Sequence, residues 1–173
     1  MRIILFTLLA ATPSSAVLAE PPARAQLKVS STAFAANGDI PAEYTCEGVE
    51  HSPPLGWSGV PSEARSIAIL VQDPDATNGT FTHWIVTGLP AATVGLAAGA
   101  ALPEGAVAGK SDNGKAGWTG PCPPSGRHRY IFHVYALDIP LAKQLTRSDF
   151  VTAIAGHVVA QGELVGMYQK QRR

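Results

Sequence analysis

Charged residues are scarce in this chain, and neither sign is in excess. The 173 residues include 13 basic and 13 acidic side chains, which together make up 15% of the sequence. No block of like charges is present, whereas nucleic-acid-binding proteins usually carry a clustered basic face. The charge pattern therefore argues against a nucleic acid as a partner.

Aromatic residues are also few, at 7%, whereas 17 glycines and 14 prolines are spread along the chain without a fixed repeat. This composition excludes collagen-like and coiled-coil proteins, and it favours a loop-rich domain over a helical bundle. The length of the chain suits one ordinary globular domain.

The chain has only two cysteines, Cys46 and Cys122. They lie too far apart in the sequence to form a local metal-binding knuckle, but an oxidising compartment would allow them to pair as a disulfide. Two buried free thiols are the alternative. The sequence leaves both readings open, because it does not give the distance between the two Cα atoms.

Long hydrophobic runs are absent as well, since no stretch approaches the length of about 18 apolar residues that a membrane span needs. The first residues instead have the pattern of a secretory signal peptide. Arg2 precedes a mostly apolar run from Ile3 to Ala11, and the small residues Val17-Leu18-Ala19 form a cleavage motif. A second cleavage pattern ends at Ala25.

The predicted domain organisation follows from cleavage after Ala19. Residues 1–19 are the predicted signal peptide, residues 20–25 a short flexible lead, and residues 26–170 a single domain. The signal has a bacterial pattern, so we expect a periplasmic or secreted protein with no membrane span after cleavage.

Short apolar segments between turn residues predict a mainly β domain. The segment Ile67–Val71 is apolar without alternation, so we expect a strand that is covered on both faces and central in its sheet. Residues 95–120 are rich in Gly and Ala and predict a long excursion with at most a short strand. The predicted strands are Leu27–Phe34, Leu55–Trp57, Ser66–Gln72, Thr82–Leu89, Arg129–Leu137 and Leu164–Met167.

One helix is predicted near the C-terminus. Thr146 or Ser148 can cap its start, because a side-chain hydroxyl accepts from the unpaired N–H groups of a first helical turn. The expected apolar face of this helix consists of Phe150, Val151, Ile154 and Val158.

Two carboxylates stand at a stiff corner directly after the buried strand. In Asp73-Pro74-Asp75 the proline ring fixes its own backbone and keeps Asp73 extended, so the backbone aims both carboxylates. Such a pair can orient a ligand or a histidine. The alternative is a plain turn, in which Asp is common because it hydrogen-bonds to its own backbone.

His83 lies at the start of the next predicted strand, where it can approach the two carboxylates if the strands pair. Strand alternation places His83 and Ile85 on one face and Trp84 on the other. A structural histidine, with its hydrogen bonds satisfied inside the core, is the alternative.

The most specific stretch of the sequence is Gly120–Tyr130, in which prolines and glycines precede a strand. An irregular loop of this kind can turn backbone N–H groups towards an anion. His128 and Tyr130 share a face of the strand that follows, whereas His133 has the opposite parity and is assigned to packing.

Together the corner, the histidines and the loop predict a small pocket for an anionic group. In this hypothesis His83 and His128 donate hydrogen bonds to the anion, and Asp73 orients a ring. Zinc is the competing ligand, but no close spacing such as His-x-x-x-His is present, so we predict neither a metal nor a cofactor. The candidate ligand-binding residues are Asp73, Asp75, His83, Gly120, Pro121, Cys122, Pro123, His128 and Tyr130.

Several blocks of residues carry a resemblance to a known family. They are Tyr44–Gly48, Ser52–Trp57, Asp73–Ala76, His83-Trp84, Gly120–Pro124, His128–Tyr130, Gly156–Val158 and Glu163–Gly166. In these blocks the sequence resembles the phosphatidylethanolamine-binding protein family, in particular its bacterial branch, often called Raf-kinase-inhibitor-like.

The resemblance implies a large antiparallel sheet packed on a smaller one, with a few short helices and an anion pocket at one end. Asp73, His83, the loop Gly120–Pro123, His128 and Tyr130 would line that pocket. The resemblance also makes a homodimer a candidate assembly.

The leading functional hypothesis is a non-enzymatic protein that binds a phosphate-type group or a phospholipid headgroup. One alternative is a protein–protein inhibitor of a kinase or protease, although no inhibitory loop is visible in the sequence. Another is a hydrolase or lyase that uses a histidine and an aspartate for acid–base chemistry. Against the enzyme, Ser125 lies near His128 but lacks the sequence of a nucleophile elbow.

Overall fold

Two β-sheets of unequal size make up the structure of residues 25–171, the part of the chain that the computed structural model describes. The strands are β1 Ala25–Gln26, β2 Lys28–Ser30, β3 Leu55–Ser58, β4 Ser66–Asp73, β5 Phe81–Pro90, β6 Gly95–Leu96, β7 Val107–Ala108, β8 Arg127–Leu137 and β9 Val158–Gln169. The larger sheet has the order β1-β9-β8-β4-β5-β7, and the smaller has the order β2-β3-β6. Neighbouring strands run antiparallel, except that β1 runs parallel to β9. This arrangement confirms the predicted mainly β fold, with a large sheet packed on a smaller one.

The predicted signal peptide, residues 1–19, lies outside the described residues. So does the predicted flexible lead, except for its last residue, Ala25, which the structure places in β1. No helix within residues 25–171 is long and apolar enough to cross a membrane.

Both faces of β4 are covered, as its sequence predicts. Ile69 and Val71 belong to the main core, which also contains Trp57 of the smaller sheet. Leu70 points the other way, into a second buried cluster that includes Phe150. Because β4 lies between β5 and β8, the prediction of a central strand is confirmed.

The first predicted strand, Leu27–Phe34, is shorter in the structure. β2 ends at Ser30, where the prediction continued to Phe34. Ser31 causes the ending: its hydroxyl donates to the carbonyl oxygen of Pro54 at 2.6 Å and accepts from the N–H of Ala33 at 3.1 Å. Such side-chain bonds to nearby backbone compete with the hydrogen bonds of a sheet.

The predicted helix is α1, Arg147–Ile154, and Thr146 is its cap, with the side chain accepting from the N–H of Asp149. Its predicted apolar face is partly wrong. Phe150 and Ile154 are buried, but Val151 is 55% exposed. Residues 150 and 154 are four positions apart and share one side of a helix, whereas residue 151 is turned about 100° away. Val158 lies in β9 and not in the helix.

The packing of α1 on the large sheet can be tested with neighbouring substitutions. Phe150→Ala should lower the free energy of unfolding by about 3 to 5 kcal/mol, because it empties a fully buried aromatic position. Val151→Ala, at the exposed neighbour, should change it by no more than about 0.5 kcal/mol. Urea unfolding followed by circular dichroism measures both, and equal losses would contradict this orientation of the helix.

Candidate functional site

A cavity of about 190 Å³ lies where the ends of neighbouring strands meet one loop. β4 ends at Asp73, which pairs with Phe81 at the start of β5, and the start of β8 lies on the other side of β4. Because neighbouring antiparallel strands run in opposite directions, the end of β4 and the starts of β5 and β8 lie at the same end of the large sheet. The cavity is lined by Asp73, Ala76, Thr77, Phe81, His83, Thr119, Gly120, Cys122, Pro123, Pro124, His128 and Tyr130.

An extra residue in β5 turns His83 towards this cavity. In β4, Val71 pairs with Trp84 and the next residue, Gln72, pairs with Thr82. His83 lies between these two pairs and is the additional residue of a β-bulge. The rings of His83 and Tyr130 are 5.1 Å apart between centroids, and Tyr130 packs in the same core as Trp84. The prediction that His83 and Trp84 point to opposite faces is therefore wrong, because strict alternation fails where a strand carries an extra residue.

His83 has one ring nitrogen fixed by the protein. Its Nδ1 lies 2.7 Å from the carbonyl oxygen of Thr119, so Nδ1 carries a proton and donates it. Burial lowers the pKa of His83 below its usual value, although the charges of Asp73 and Asp112 act in the opposite direction. In the neutral ring Nε2 is consequently an acceptor, and not the donor that the sequence hypothesis assigned to this histidine.

The ring that Asp73 orients is that of His128. Nδ1 of His128 lies 2.8 Å from Asp73 Oδ2, and both side chains are buried. The other carboxylate oxygen of Asp73 accepts the N–H of Asp75 at 2.8 Å. On the far side of the ring, Nε2 lies 3.1 Å from the carbonyl oxygen of Ser125. Both nitrogens of His128 thus face oxygen acceptors of the protein. His128 is therefore part of the cavity wall, and the prediction that it donates a hydrogen bond to an anion is not supported by these contacts.

Asp75, the second carboxylate of the corner, points away from the cavity lining and binds Arg129. The guanidinium donates to its two oxygens at 2.9 Å and 2.6 Å, and the backbone N–H of Arg129 donates at 2.9 Å. These hydrogen bonds lower the pKa of Asp75 to about 2. Asp75 therefore fastens the corner to β8, and it is not among the residues that line the cavity.

The loop at the cavity mouth is attached to the segment 42–50. Cys46 and Cys122 form a disulfide, with their Cα atoms 5.5 Å apart. The N–H of Cys46 donates to the carbonyl oxygen of Pro121 at 3.1 Å, which turns Pro121 away from the lining. The disulfide reading of the two cysteines is thus the one that the structure adopts, and Cys122 forms part of the cavity wall.

The loop offers an anion fewer N–H groups than the sequence suggested. The N–H of Gly120 donates to Glu50 Oε1 at 3.1 Å. A Cβ at residue 120 would lie 3.0 Å from the backbone of Thr45, so the close approach favours glycine. Prolines have no N–H group. Within residues 120–124, Cys122 is consequently the residue whose N–H remains available.

The hydroxyl of Tyr130 is the unsatisfied group of the site. Tyr130 is fully buried, and its hydroxyl interacts with the Asp73 carboxylate only weakly, without the geometry of a full hydrogen bond. Burial raises the pKa of Tyr130, and the charge of Asp73 raises it further, so the hydroxyl keeps its proton. A buried hydroxyl without a partner costs free energy, which makes Tyr130 the group with most to gain from a ligand.

Seven of the nine candidate residues line the cavity, and Asp75 and Pro121 do not. The sequence reading missed Ala76, Thr77, Phe81, Thr119 and Pro124. Phe81 could have been found from its spacing, since it lies two positions before His83 and shares its face. The others line the cavity through tertiary contacts of loops. No group of three or more His, Cys, Asp or Glu residues in the described part of the chain could hold a metal ion.

Comparisons with known proteins agree on one family. The model of the phosphatidylethanolamine-binding protein family matches residues 30–169. A UPF0098 protein of Methanothermobacter thermautotrophicus is 42% identical over 150 residues, which cover 83% of this chain and 99% of the relative. A UPF0098 protein of Pyrococcus horikoshii is 43% identical over 161 residues, which cover 84% and 77%.

Two solved structures have the same fold. A phosphatidylethanolamine-binding protein homolog from Chlamydia trachomatis superposes with a TM-score of 0.80 at 40% identity, covering 86% of this chain and all of its own. YbcL of E. coli, described as a member of the mammalian family, superposes with a TM-score of 0.77 at 34% identity, covering 85% of this chain and 100% of its own.

The ion pair of Asp75 should make the protein sensitive to acid. Because the folded pKa lies below the unfolded value, its contribution is present above the usual carboxyl value of 3.8 and is lost as the pH falls towards about 2. Asp75→Asn should therefore lose less unfolding free energy than the wild type between about pH 5 and pH 2. Urea unfolding at several pH values measures this. Asp39→Asn is the control, since Asp39 pairs with Arg127 at a more exposed position, and identical acid profiles for Asp75→Asn and the wild type would refute the assignment.

The disulfide should contribute strongly to stability because it closes a loop of 76 residues. The double substitution Cys46→Ser and Cys122→Ser should lower the free energy of unfolding by about 4 kcal/mol in the chain-entropy model. Chemical unfolding with and without a reductant measures it. Reduction should destabilise the wild type and leave the double variant unchanged; a wild type that is indifferent to the reductant would argue against a bridge.

Proposed function

The chain belongs to the phosphatidylethanolamine-binding protein family, and on this premise we propose that it is an exported, non-enzymatic binding protein whose cavity receives a phosphate-type group or phospholipid headgroup. The observation that carries the proposal is Tyr130, which lines the same cavity as His83 and whose buried hydroxyl has no hydrogen bond of full geometry within the described residues. A phosphoryl oxygen at this position would accept the unused hydrogen bond.

The shape and chemistry of the cavity support a small ligand group. Its volume of about 190 Å³ is below the range of drug-sized sites, which start at about 300 Å³. Phe81 and Pro123 supply apolar walls, while Tyr130 supplies a hydroxyl donor. Such a combination suits a compact oxyanion with a substituent that extends out of the mouth.

Export is proposed from the sequence of residues 1–19, and the compartment is the periplasm or the medium of a bacterium. The disulfide between Cys46 and Cys122 is compatible with that location, because disulfides persist in oxidising compartments. We propose a small anionic molecule as the partner, without a cofactor, and a homodimer as the assembly to test.

The contacts of His128 support binding over catalysis. A histidine that activates a serine must accept the hydroxyl proton, but Nε2 of His128 faces the carbonyl oxygen of Ser125. Nδ1 is occupied by Asp73. The histidine–aspartate pair therefore holds the wall of the cavity, and neither the hydrolase or lyase nor the kinase or protease inhibitor gains a specific supporting contact in residues 25–171.

The Tyr130 hydroxyl separates ligand binding from stability. Tyr130→Phe should leave the free energy of unfolding unchanged or raise it, because the substitution removes an unsatisfied buried hydroxyl. It should weaken the binding of O-phosphoethanolamine about tenfold, the cost of one lost hydrogen bond to a charged group. Thermal unfolding titrated with the ligand measures both effects.

Tyr135→Phe is the matched control for this experiment. Tyr135 lies on the same strand, β8, but on the opposite face, where it packs against Phe150. This variant should bind O-phosphoethanolamine as the wild type does. Unchanged affinity in Tyr130→Phe, or an equal loss in both variants, would contradict the proposed site.

A further inference from the structure

A second cavity, of about 250 Å³, lies apart from the cavity at the strand ends and shares no lining residue with it. Most of its wall comes from residues 95–120, the Gly- and Ala-rich excursion predicted from the sequence. Long excursions of this kind are often functional. The lining residues are His51, Ser52, Trp84, Gly99, Ala100, Leu102, Ala108, Gly117 and Trp118. The proposed phosphate-binding function makes no use of this second cavity.

Backbone hydrogen bonds hold the excursion in place around the second cavity. The N–H of Gly99 donates to the carbonyl oxygen of Ser52 at 2.9 Å, and the N–H of Gly109 donates to that of Ile85 at 2.9 Å. The N–H of Gly117 in turn donates to the carbonyl oxygen of Gly109 at 3.2 Å. Because these bonds form the wall in the absence of a ligand, binding needs little further ordering of the chain.

Two tryptophan rings form the aromatic part of the wall. Trp84 and Trp118 meet at 85°, with their ring centroids 5.7 Å apart. Trp118 is fixed by two further contacts: its ring stacks with Phe132, and its indole N–H donates to the carbonyl oxygen of Tyr44 at 3.1 Å. Trp118 is still only half-buried, so part of its ring stays open to the cavity. A flat aromatic ligand can pack against such a corner edge-to-face or offset-stacked.

Two buried residues of this wall carry polar groups without a partner. Trp84 is 4% exposed and Ser52 is 8% exposed. Neither the indole N–H nor the serine hydroxyl makes a hydrogen bond within the described residues, where the fully enclosed unpaired side-chain atoms belong to Thr82 and Tyr130. The polar atoms of Trp84 and Ser52 are therefore reached from the cavity that both residues line. A ligand oxygen at this place can accept from them.

The second cavity offers no counter-charge to a charged ligand. Its lining, in the described part of the chain, contains no Lys, Arg, Asp or Glu. Nδ1 of His51 lies 3.3 Å from the carbonyl oxygen of Ser52 and donates to it, so Nε2 of the neutral ring is an acceptor. A charged group would lose its hydration here without compensation. The lining thus fits an uncharged ligand that has both an acceptor oxygen and an N–H donor.

We propose that the second cavity binds an uncharged aromatic carboxamide, with its ring against Trp84 and Trp118 and its oxygen accepting from the indole N–H of Trp84. A carboxamide carries an acceptor and a donor in one plane, which matches the donor of Trp84 and the acceptor of His51. Binding is non-covalent and independent of the phosphate-type ligand proposed for the cavity at the strand ends.

NMR of the purified protein at about pH 8, where a histidine is ordinarily neutral, tests the proposal with benzamide as the probe. The indole N–H signal of Trp84 should shift and saturate as benzamide is added. The signal of Trp57, whose N–H donates to the carbonyl oxygen of Thr93 at 2.7 Å, should stay in place. Benzoate has nearly the same shape but a negative charge, so it should bind at least about tenfold more weakly.

Ala100→Phe is the informative variant, because a phenyl ring at this exposed position of the lining would occupy the cavity. It should lower the affinity for benzamide at least about tenfold, the effect of blocking the place of the ligand ring. Ala101→Phe is the matched control: Ala101 is the exposed neighbour and does not line the cavity. This variant should bind benzamide as the wild type does.

Trp84→Phe tests the hydrogen bond separately, since it removes the indole N–H and keeps an aromatic ring. It should weaken benzamide binding about fivefold, the cost of one neutral hydrogen bond. Trp57→Phe is its control, because Trp57 is equally buried, at 4% exposure, but lies outside the cavity. If Trp84→Phe does not fold, the titration of the wild type and the two alanine variants decide the question.

Three results would overturn this inference. The first is a Trp84 signal that does not move with benzamide, and the second is equal affinity in Ala100→Phe and the wild type. The third is displacement of benzamide by O-phosphoethanolamine, because the two cavities share no residue. None of these results would contradict the proposed function, which rests on Tyr130 in the other cavity.

Discussion

Asp73 is buried with a hydrogen bond at each carboxylate oxygen, one from the backbone of Asp75 and one from the ring of His128. The bond to His128 joins the end of β4 to the start of β8. The bond from the N–H of Asp75 fixes the turn that follows Asp73. Removing one member of a buried pair typically costs about 3 to 5 kcal/mol, because a charge is left without compensation. The shape of the cavity depends on the contact between Asp73 and His128. Tyr130 lies on the strand that this contact holds, β8, and Pro124 lies in the loop just before that strand.

The cavity wall is fixed by long-range attachments, whereas its binding groups are left free. The disulfide and the bond from Gly120 to Glu50 hold the loop, and Arg129 holds the corner through Asp75. Within the described residues, Nε2 of His83 has no hydrogen bond, and the Tyr130 hydroxyl has only a weak interaction with Asp73. A site whose supports are satisfied and whose central groups are not is preorganised for a ligand, because little ordering remains to be done when the ligand arrives.

Features that depend on the strand repeat could be predicted from the sequence, whereas features that depend on a single long-range contact could not. The continuous apolar run of β4 and the shared face of His128 and Tyr130 follow from the strand repeat, and both are found. The direction of His83 does not follow, because the extra residue of a β-bulge is defined only by pairing with β4. The N–H of Gly120 is likewise taken by Glu50, a partner 70 positions away in the chain. Contacts of this kind form only when the chain folds, so no local sequence pattern indicates them.

A crystal structure of the protein with O-phosphoethanolamine would show whether the cavity beside Tyr130 holds a phosphate group. We expect a phosphoryl oxygen within about 3 Å of the Tyr130 hydroxyl, with the phosphate group inside the cavity. The loop and the Asp73–His128 contact should stay as they are. A ligand bound instead beside Arg127 or Lys170 on the surface, with the cavity filled by water alone, would contradict this binding site.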